Sequence, residues 1–218
     1  IHVKRAFVIG HPIAHSRSPL IHNFWLKQYG IAGSYEAIDV EPHALGAFFE
    51  RLKAGEFAGG NVTIPHKEAV YSLVDELDPL AEEIGAVNTL VRKDSGIEGL
   101  NTDYLGFLGN LDQNVPGWDQ GLKSVIVLGA GGASRAILVA LKSRNIPQIR
   151  LLNRTAGKAE ELAIELAGPI RAGGLGDFAA CAPDAGLVIN TSSVGMKGTS
   201  FDDLDLDRLP RTTIVTDI

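Results

Sequence analysis

The run Val125-Ile126-Val127-Leu128-Gly129-Ala130-Gly131-Gly132-Ala133-Ser134-Arg135-Ala136 constrains this chain more than any other stretch. Four aliphatic residues in succession suit a strand buried on both faces. Glycines follow at 129, 131 and 132, and Ala136-Ile137-Leu138-Val139-Ala140-Leu141 reads as a helix. A strand that turns on glycines into a helix leaves backbone N–H groups at the positive end of the helix dipole, where a pyrophosphate binds. Gly129 permits the tight turn and Gly131 lets backbone approach phosphate, with Ala130, Gly132 and Ala133 completing the cradle. Ser134 stands where the common fingerprint has its third glycine, so the pattern alone is weak and its context decides.

That context is a second apolar strand, Gln148 to Leu152, with Asn153-Arg154-Thr155 at its C-terminal end. A unit that prefers NAD usually has Asp or Glu near here for the ribose 2′-OH. This chain has Arg154, with Thr155 beside it and Lys158 one turn on. A guanidinium, a hydroxyl and a helix N-terminus suit a 2′-phosphate; read without the glycine turn, Arg154 is an ordinary solvated loop residue. With that turn in place the expected cofactor is NADP. Leu187 to Thr191 reads as a third buried strand, from which Ser192 to Met196 turns away over the edge where a nicotinamide would lie. Thr191 and Met196 are the candidates there, Met196 being equally suited to a flat ring and to core filling. Thr213 to Ile218 is a final strand.

The first half carries different signals. Ala6 to Gly10 reads as a strand and His11 to Pro19 as an ordered loop, with Ser18 as the N-cap and Pro19 as the first residue of a helix bearing Leu20, Ile21, Phe24, Trp25 and Tyr29. Ser16 and Ser18 lie two apart, so both hydroxyls can face one pocket and hold a carboxylate, or simply cap the helix twice. Ser34 to Val40 is a strand and Pro42 to Lys53 a helix with Leu45, Phe48, Phe49 and Leu52 inward. Asn61 to Ile64 ends as a strand, Pro65 breaks it, and Lys67 begins a helix. A cation there opposes the dipole, which invites a functional explanation, although a lone lysine is commonly a solvated one. Gly85 to Val91 and Gly96 to Asp103 form a hairpin signal, and Asp103 competes with Thr102 to cap the helix that follows. A domain boundary is expected between residues 103 and 120.

Bulk properties exclude several classes. With 218 residues, 45% hydrophobic and 21% charged, the chain has an ordinary globular composition. A net charge of −6 argues against a nucleic-acid partner. No apolar run approaches the ~20 residues of a membrane span. The single cysteine, Cys181, reads as core filler in a reducing compartment, and no stretch reads as a secretory leader, so a cytoplasmic location is expected. The six histidines are scattered, and no metal site is expected. The chain begins at Ile1 and stops on an apolar run, so both ends read as cut.

Seven of these stretches, in order, resemble the shikimate dehydrogenase family: Gly10 to Pro19, Asn61 to Lys67, Gly85 to Thr89, Gly99 to Asp103, Gly129 to Ala133, Asn153 to Thr155, and Asn190 to Ser192 with Gly195-Met196. The family's own glycine turn is similar, with two adjacent glycines followed by small residues, so Ser134 is no objection. The resemblance implies an α/β fold: an N-terminal mixed α/β substrate domain over residues 1–103 and a C-terminal Rossmann-like NADP-binding domain with a parallel sheet over 104–218. It implies reversible reduction of 3-dehydroshikimate to shikimate with NADPH, in aromatic amino-acid biosynthesis. Carried over, Ser16 and Ser18 would hold the substrate carboxylate, Thr63, Asn88 and Asp103 would bond the ring hydroxyls, and Lys67 and Asp103 would be the catalytic pair. A positioned lysine can protonate the forming alkoxide, and so its place at a helix start gains a reason. Family members continue past the last strand with a glutamine that touches substrate and a glycine near the nicotinamide; the resemblance therefore implies that a C-terminal part is missing here. The partner expected is a small-molecule substrate, and the sequence is compatible with a homodimer. The alternatives are a quinate/shikimate dehydrogenase using NAD or NADP, and a non-catalytic, ligand-sensing relative, which retention of both Lys67 and Asp103 disfavours.

Overall fold

The computed structural model describes residues 4–195, 198–201 and 204–218, and the chain divides after Thr102 into two compact units. The first is built on a six-stranded mixed sheet. β1 (Lys4–Gly10) pairs in parallel with β2 (Gly33–Asp39) on one side and β3 (Gly59–Val62) on the other. The short β4 (Glu76–Leu77) lies at the far edge, parallel to β6 (Gly96–Leu100), while β5 (Thr89–Lys93) runs antiparallel to both β3 and β6. Four helices cross over: α1 (Ser18–Gln28), α2 (Leu45–Lys53), α3 (Lys67–Tyr71) and α4 (Pro79–Ile84).

The period of two along β1 sorts its side chains between two faces. Phe7 and Ile9 enter the main core with Leu52, Val70, Leu90 and Ile97, where Phe7 meets Phe48 and Phe57 edge-on at 4.8 and 5.2 Å. Val8 points the other way, onto Ile13 and Tyr35. α2 buries Leu45, Phe48, Phe49 and Leu52, as its spacing predicts, although Pro42–Ala44 forms a separate 3-10 turn before it. α1 differs from expectation at its start. Ser18 is already helical and Arg17 is the cap; the Ser16 hydroxyl accepts the Ser18 N–H at 3.3 Å instead. The following Pro19 lacks an N–H, so the first donor that a side chain can satisfy is that of Ser18. No residue of α1 is fully buried, and Leu20, Ile21, Phe24 and Trp25 remain exposed.

The second unit opens with α5 (Asp103–Asn114) and holds a five-stranded, all-parallel sheet: β7 (Ser124–Leu128), β8 (Ile149–Asn153), β9 (Ile170–Gly174), β10 (Ala185–Asn190) and β11 (Ile214–Asp217). Its order, β11-β10-β7-β8-β9, puts β7 in the middle and reverses direction between β7 and β10. This is the doubly wound arrangement, and its switch point lies at the carboxyl ends of those two strands. Every residue of β7 is buried, as four consecutive aliphatics require. α6 (Gly132–Ser143), α7 (Ala156–Leu166) and α8 (Phe178–Cys181) are the helices of this unit that follow β7. α6 begins at Gly132, four residues before the apolar run that marks it in the sequence, so Gly132, Ala133 and Ser134 form its first turn.

Candidate active site

In the first unit β1 and β3 run parallel, β5 runs against β3, and β6 against β5. The carboxyl ends of β1, β3 and β6 and the amino end of β5 therefore share one end of the sheet. The loops from Gly10 to Ser18 and from Thr63 to Lys67, the residue Asn88, and Thr102 all lie there. The His11 N–H donates to the Ile64 carbonyl at 3.0 Å, tying the first loop to the second. A Cβ on Gly10 would stand 2.7 Å from Thr63 Cγ2 and 2.8 Å from the Ile64 carbonyl oxygen, so only glycine allows this approach.

Lys67 is held by its backbone, since its carbonyl accepts the Val87 N–H at 2.9 Å. The residue before it, His66, is buried and its Nε2 bonds the Val40 carbonyl at 2.7 Å, anchoring the turn to the segment after β2. Asn88 is buried and oriented: its Oδ1 accepts the Thr102 N–H at 2.9 Å and the Thr89 hydroxyl at 2.8 Å, while Nδ2 donates to Thr102 Oγ1 at 3.0 Å. Ser16, Ser18, Thr63 and Lys67 are half-buried, each able to present a polar atom to solvent or ligand. Asp103 lies one residue past Thr102 and is the first residue of α5, in the second unit.

In the second unit the glycine turn is tightly built. Gly129 has φ +111, and a Cβ there would meet Thr191 Oγ1 at 2.8 Å. Thr191, expected near the cofactor, is buried and donates to the Leu128 carbonyl at 2.9 Å, which links the ends of β7 and β10. Ser134 is buried and bonds both backbone groups of Gly131, accepting the N–H at 2.7 Å and donating to the carbonyl at 2.8 Å. The hydroxyl thus stiffens the turn that leads into α6. Among the N–H groups of the turn it uses that of Gly131, so an anion would be met by the first-turn N–H groups of α6. Arg135 on that helix makes a bidentate pair with Glu165 of α7, both bonds at 2.7 Å.

Beside this turn an open pocket of about 380 Å³ is lined by Gly129, Asn153, Arg154, Ser192, Val194 and Phe201, among others. Arg154, Thr155 and Lys158 are exposed, and Asn153 Nδ2 donates to the Thr155 carbonyl at 2.9 Å, shaping the loop that carries them. Asn190 folds the opposite rim: its Oδ1 accepts the Ser192 N–H at 3.0 Å and its Nδ2 donates to the Val194 carbonyl at 2.8 Å. An exposed guanidinium at a pocket that borders a glycine turn, with Thr155 and Lys158 close by in sequence, is chemistry that could hold the adenosine and 2′-phosphate end of NADP. Met196 lies outside the described residues. Among those residues no group of three His, Cys, Asp or Glu side chains is placed to hold a metal, and no helix is long and apolar enough to cross a membrane.

Residues 8–90 match the family model of the shikimate dehydrogenase substrate binding domain, and residues 113–215 that of shikimate / quinate 5-dehydrogenase. A protein of Brucella melitensis named shikimate dehydrogenase (NADP(+)) is 49% identical over 218 residues, covering 99% of this chain and 75% of the relative. The chain belongs to the shikimate dehydrogenase family. Solved shikimate dehydrogenases share the architecture: that of Aquifex aeolicus superposes with a TM-score of 0.89 at 35% identity, covering 99% of this chain and 78% of the other. The Thermus thermophilus enzyme, solved in complex with NADP(H) and shikimate, gives 0.84 at 36% identity, covering 98% and 78%. Several shikimate dehydrogenase residues that shape these loops carry no signal in the sequence by themselves. Ser134 reads as a missing glycine, and Tyr35, Asn61 and Thr89 read as strand positions; only their hydrogen bonds mark them out.

Proposed function

We propose that this chain catalyses the reversible, NADP-dependent reduction of 3-dehydroshikimate to shikimate. The observation that carries the reading is the 49% identity over nearly the whole chain to a relative named for that activity and cofactor. The first unit serves as the substrate domain and the second as the NADP-binding domain. Ser16 and Ser18 bind the substrate carboxylate through neutral hydroxyls, and Thr63, Asn88 and Asp103 bond its ring hydroxyls. The fixed Asn88 amide supports this role, because a pre-oriented group loses little freedom when substrate arrives.

Reduction of a ketone places a hydride on carbon and a proton on oxygen. Bound NADPH supplies the hydride. Lys67 holds the proton at the forming alkoxide oxygen and takes it back in the oxidative direction, with Asp103 as the carboxylate partner of the pair. On the cofactor side, Arg154, Thr155 and Lys158 hold the 2′-phosphate and the first turn of α6 receives the pyrophosphate. NADP⁺ reduction with shikimate and with quinate, run side by side with NAD⁺ as control, tests the reading; quinate is included because the family model matched by residues 113–215 spans both substrates. Preference for shikimate with NADP⁺ is expected. Preference for quinate or NAD⁺ would move the assignment to the quinate branch; turnover only in a version extended past Ile218 would mean that the added part completes the site, and binding without turnover in both would make the chain a sensor.

A further inference from the structure

We infer that Tyr35, on the second strand of the first unit, is a positioning residue for substrate recognition, acting through a one-way chain of hydrogen bonds that ends on Asn88. The inference rests on the reading of Asn88 as a substrate contact.

Tyr35 is held on every side. Its backbone N–H donates to Asn23 Oδ1 at 3.0 Å and its carbonyl accepts from Asn23 Nδ2 at 2.7 Å, so an α1 amide stands in for a neighbouring strand. Its ring packs on Val8 and Ile13 and stacks against His22, with ring centres 4.1 Å apart and planes 9° from parallel. The His22 Nδ1 in turn bonds the Ser18 carbonyl at 2.9 Å. From this fixed ring the phenol donates to Asn61 Oδ1 at 2.6 Å. Asn61 Nδ2 donates to Thr89 Oγ1 at 3.1 Å, and the Thr89 hydroxyl donates to Asn88 Oδ1 at 2.8 Å.

The direction of this chain is set at its far end. The Thr102 backbone N–H can only donate, so the Asn88 atom facing it must be the oxygen. Thr89 has one proton, which goes to that oxygen, so its own oxygen accepts from Asn61. Asn61 then presents its amino group to Thr89 and its oxygen to Tyr35, and the phenol has to be the donor. Burial pushes the Tyr35 phenol up from its ordinary value of 10, which keeps the proton it donates. Without that proton the Asn61 oxygen is an unpaired acceptor. The Asn61 amide can then flip and turn that oxygen to Thr89, whose hydroxyl rotates towards it and leaves Asn88, loosening the amide that faces the substrate. Through His22 the same ring braces the backbone of Ser18, so one side chain steadies both the carboxylate loop and the hydroxyl-binding amide.

The test is steady-state kinetics, with thermal unfolding alongside, on Tyr35→Phe, Thr89→Val, Thr89→Ser, Asn88→Ala and the double variant Tyr35→Phe/Asn88→Ala. Tyr35→Phe keeps the ring and its stack and removes only the hydroxyl that donates to Asn61. It should raise KM for shikimate roughly three- to tenfold, with a smaller change in kcat and an unchanged KM for NADP⁺. Thr89→Val should do the same, and Thr89→Ser should restore the native value. In the Asn88→Ala background Tyr35→Phe should add nothing, because the end of the chain is gone. A native KM for shikimate in Tyr35→Phe, beside an impaired Asn88→Ala, overturns the inference and leaves the Asn88 reading intact. Additive effects in the double variant also overturn it. Native kinetics in Asn88→Ala remove the Asn88 reading and this inference together. If Tyr35→Phe does not fold, Thr89→Val decides, since it disturbs neither ring nor stack.

Discussion

Lys67 has its backbone fixed by the Val87 N–H on one side and by buried His66 on the other, so its side chain projects from a rigid point. Lys67→Ala should lower kcat by about 10²–10⁴ with little change in KM for shikimate, the signature of a group that acts on the transition state. An unchanged rate removes it from the proton step. Arg154 is an exposed side chain at the rim of the pocket, and Arg154→Ala should raise KM for NADPH far more than for NADH. An equal effect on both means that it does not read the 2′-phosphate. The sequence makes such residues visible because each breaks a local rule: a cation at the start of a helix, an arginine where an acid is usual, two serines flanking a loop. Residues that obey the rules stay hidden. Tyr35 suits any half-buried strand and Thr89 is an ordinary β-branched residue, and what they do depends on Asn61, far from both along the chain.

At the scale of elements, β7 and the glycine turn are legible because an unbroken aliphatic run followed by glycines admits few other structures. β4 and β9 are not: two residues, Glu76–Leu77, carry no period, and Ile170–Gly174 ends in two glycines. Their strand character comes from the edge of a sheet already formed beside them. The start of α6 is legible only in part, since Ser134 takes a place where pattern reading expects glycine. In the structure its hydroxyl pairs with both backbone groups of Gly131. Ser134→Ala should therefore cost about 1–3 kcal/mol in thermal unfolding, as the loss of a buried bonded hydroxyl that leaves its partners unpaired, and should weaken NADP⁺ binding. Ser134→Gly, which matches the common fingerprint but lacks the hydroxyl, should not rescue it; recovery with glycine would mean that small size, not hydrogen bonding, is what the turn needs.

For the molecule as a whole, the largest carboxyl shift among the described residues lies in one cluster of the first unit, beside lesser downward shifts at Asp112 and Glu165 of the second. Arg5 bonds Glu36 at 2.7 Å and Glu56 at 3.1 Å, Arg51 bonds Glu56 at 2.6 Å, and both guanidiniums lie over the Phe57 ring. The Arg51 hydrogen bond, helped by Arg5 and opposed by desolvation, lowers the Glu56 carboxyl from 4.5 to about 2. A depressed carboxyl stabilises the fold above its unfolded value, and that contribution fades as pH falls from 4.5 through about 2. Glu56→Gln should flatten the loss of thermal stability across this window, and an unaltered profile would assign acid sensitivity elsewhere. The position of β7 has another consequence, for the newly made chain. Its partner β8 follows promptly, but β10 is added only after α6, β8, α7 and β9 have been synthesised. Until then the most apolar strand of the unit presents a bare edge, a template for pairing with another nascent chain. Production of this protein at high rate or high temperature should therefore be limited by aggregation during synthesis, and chaperone supply should matter more to yield than any stabilisation of the finished fold.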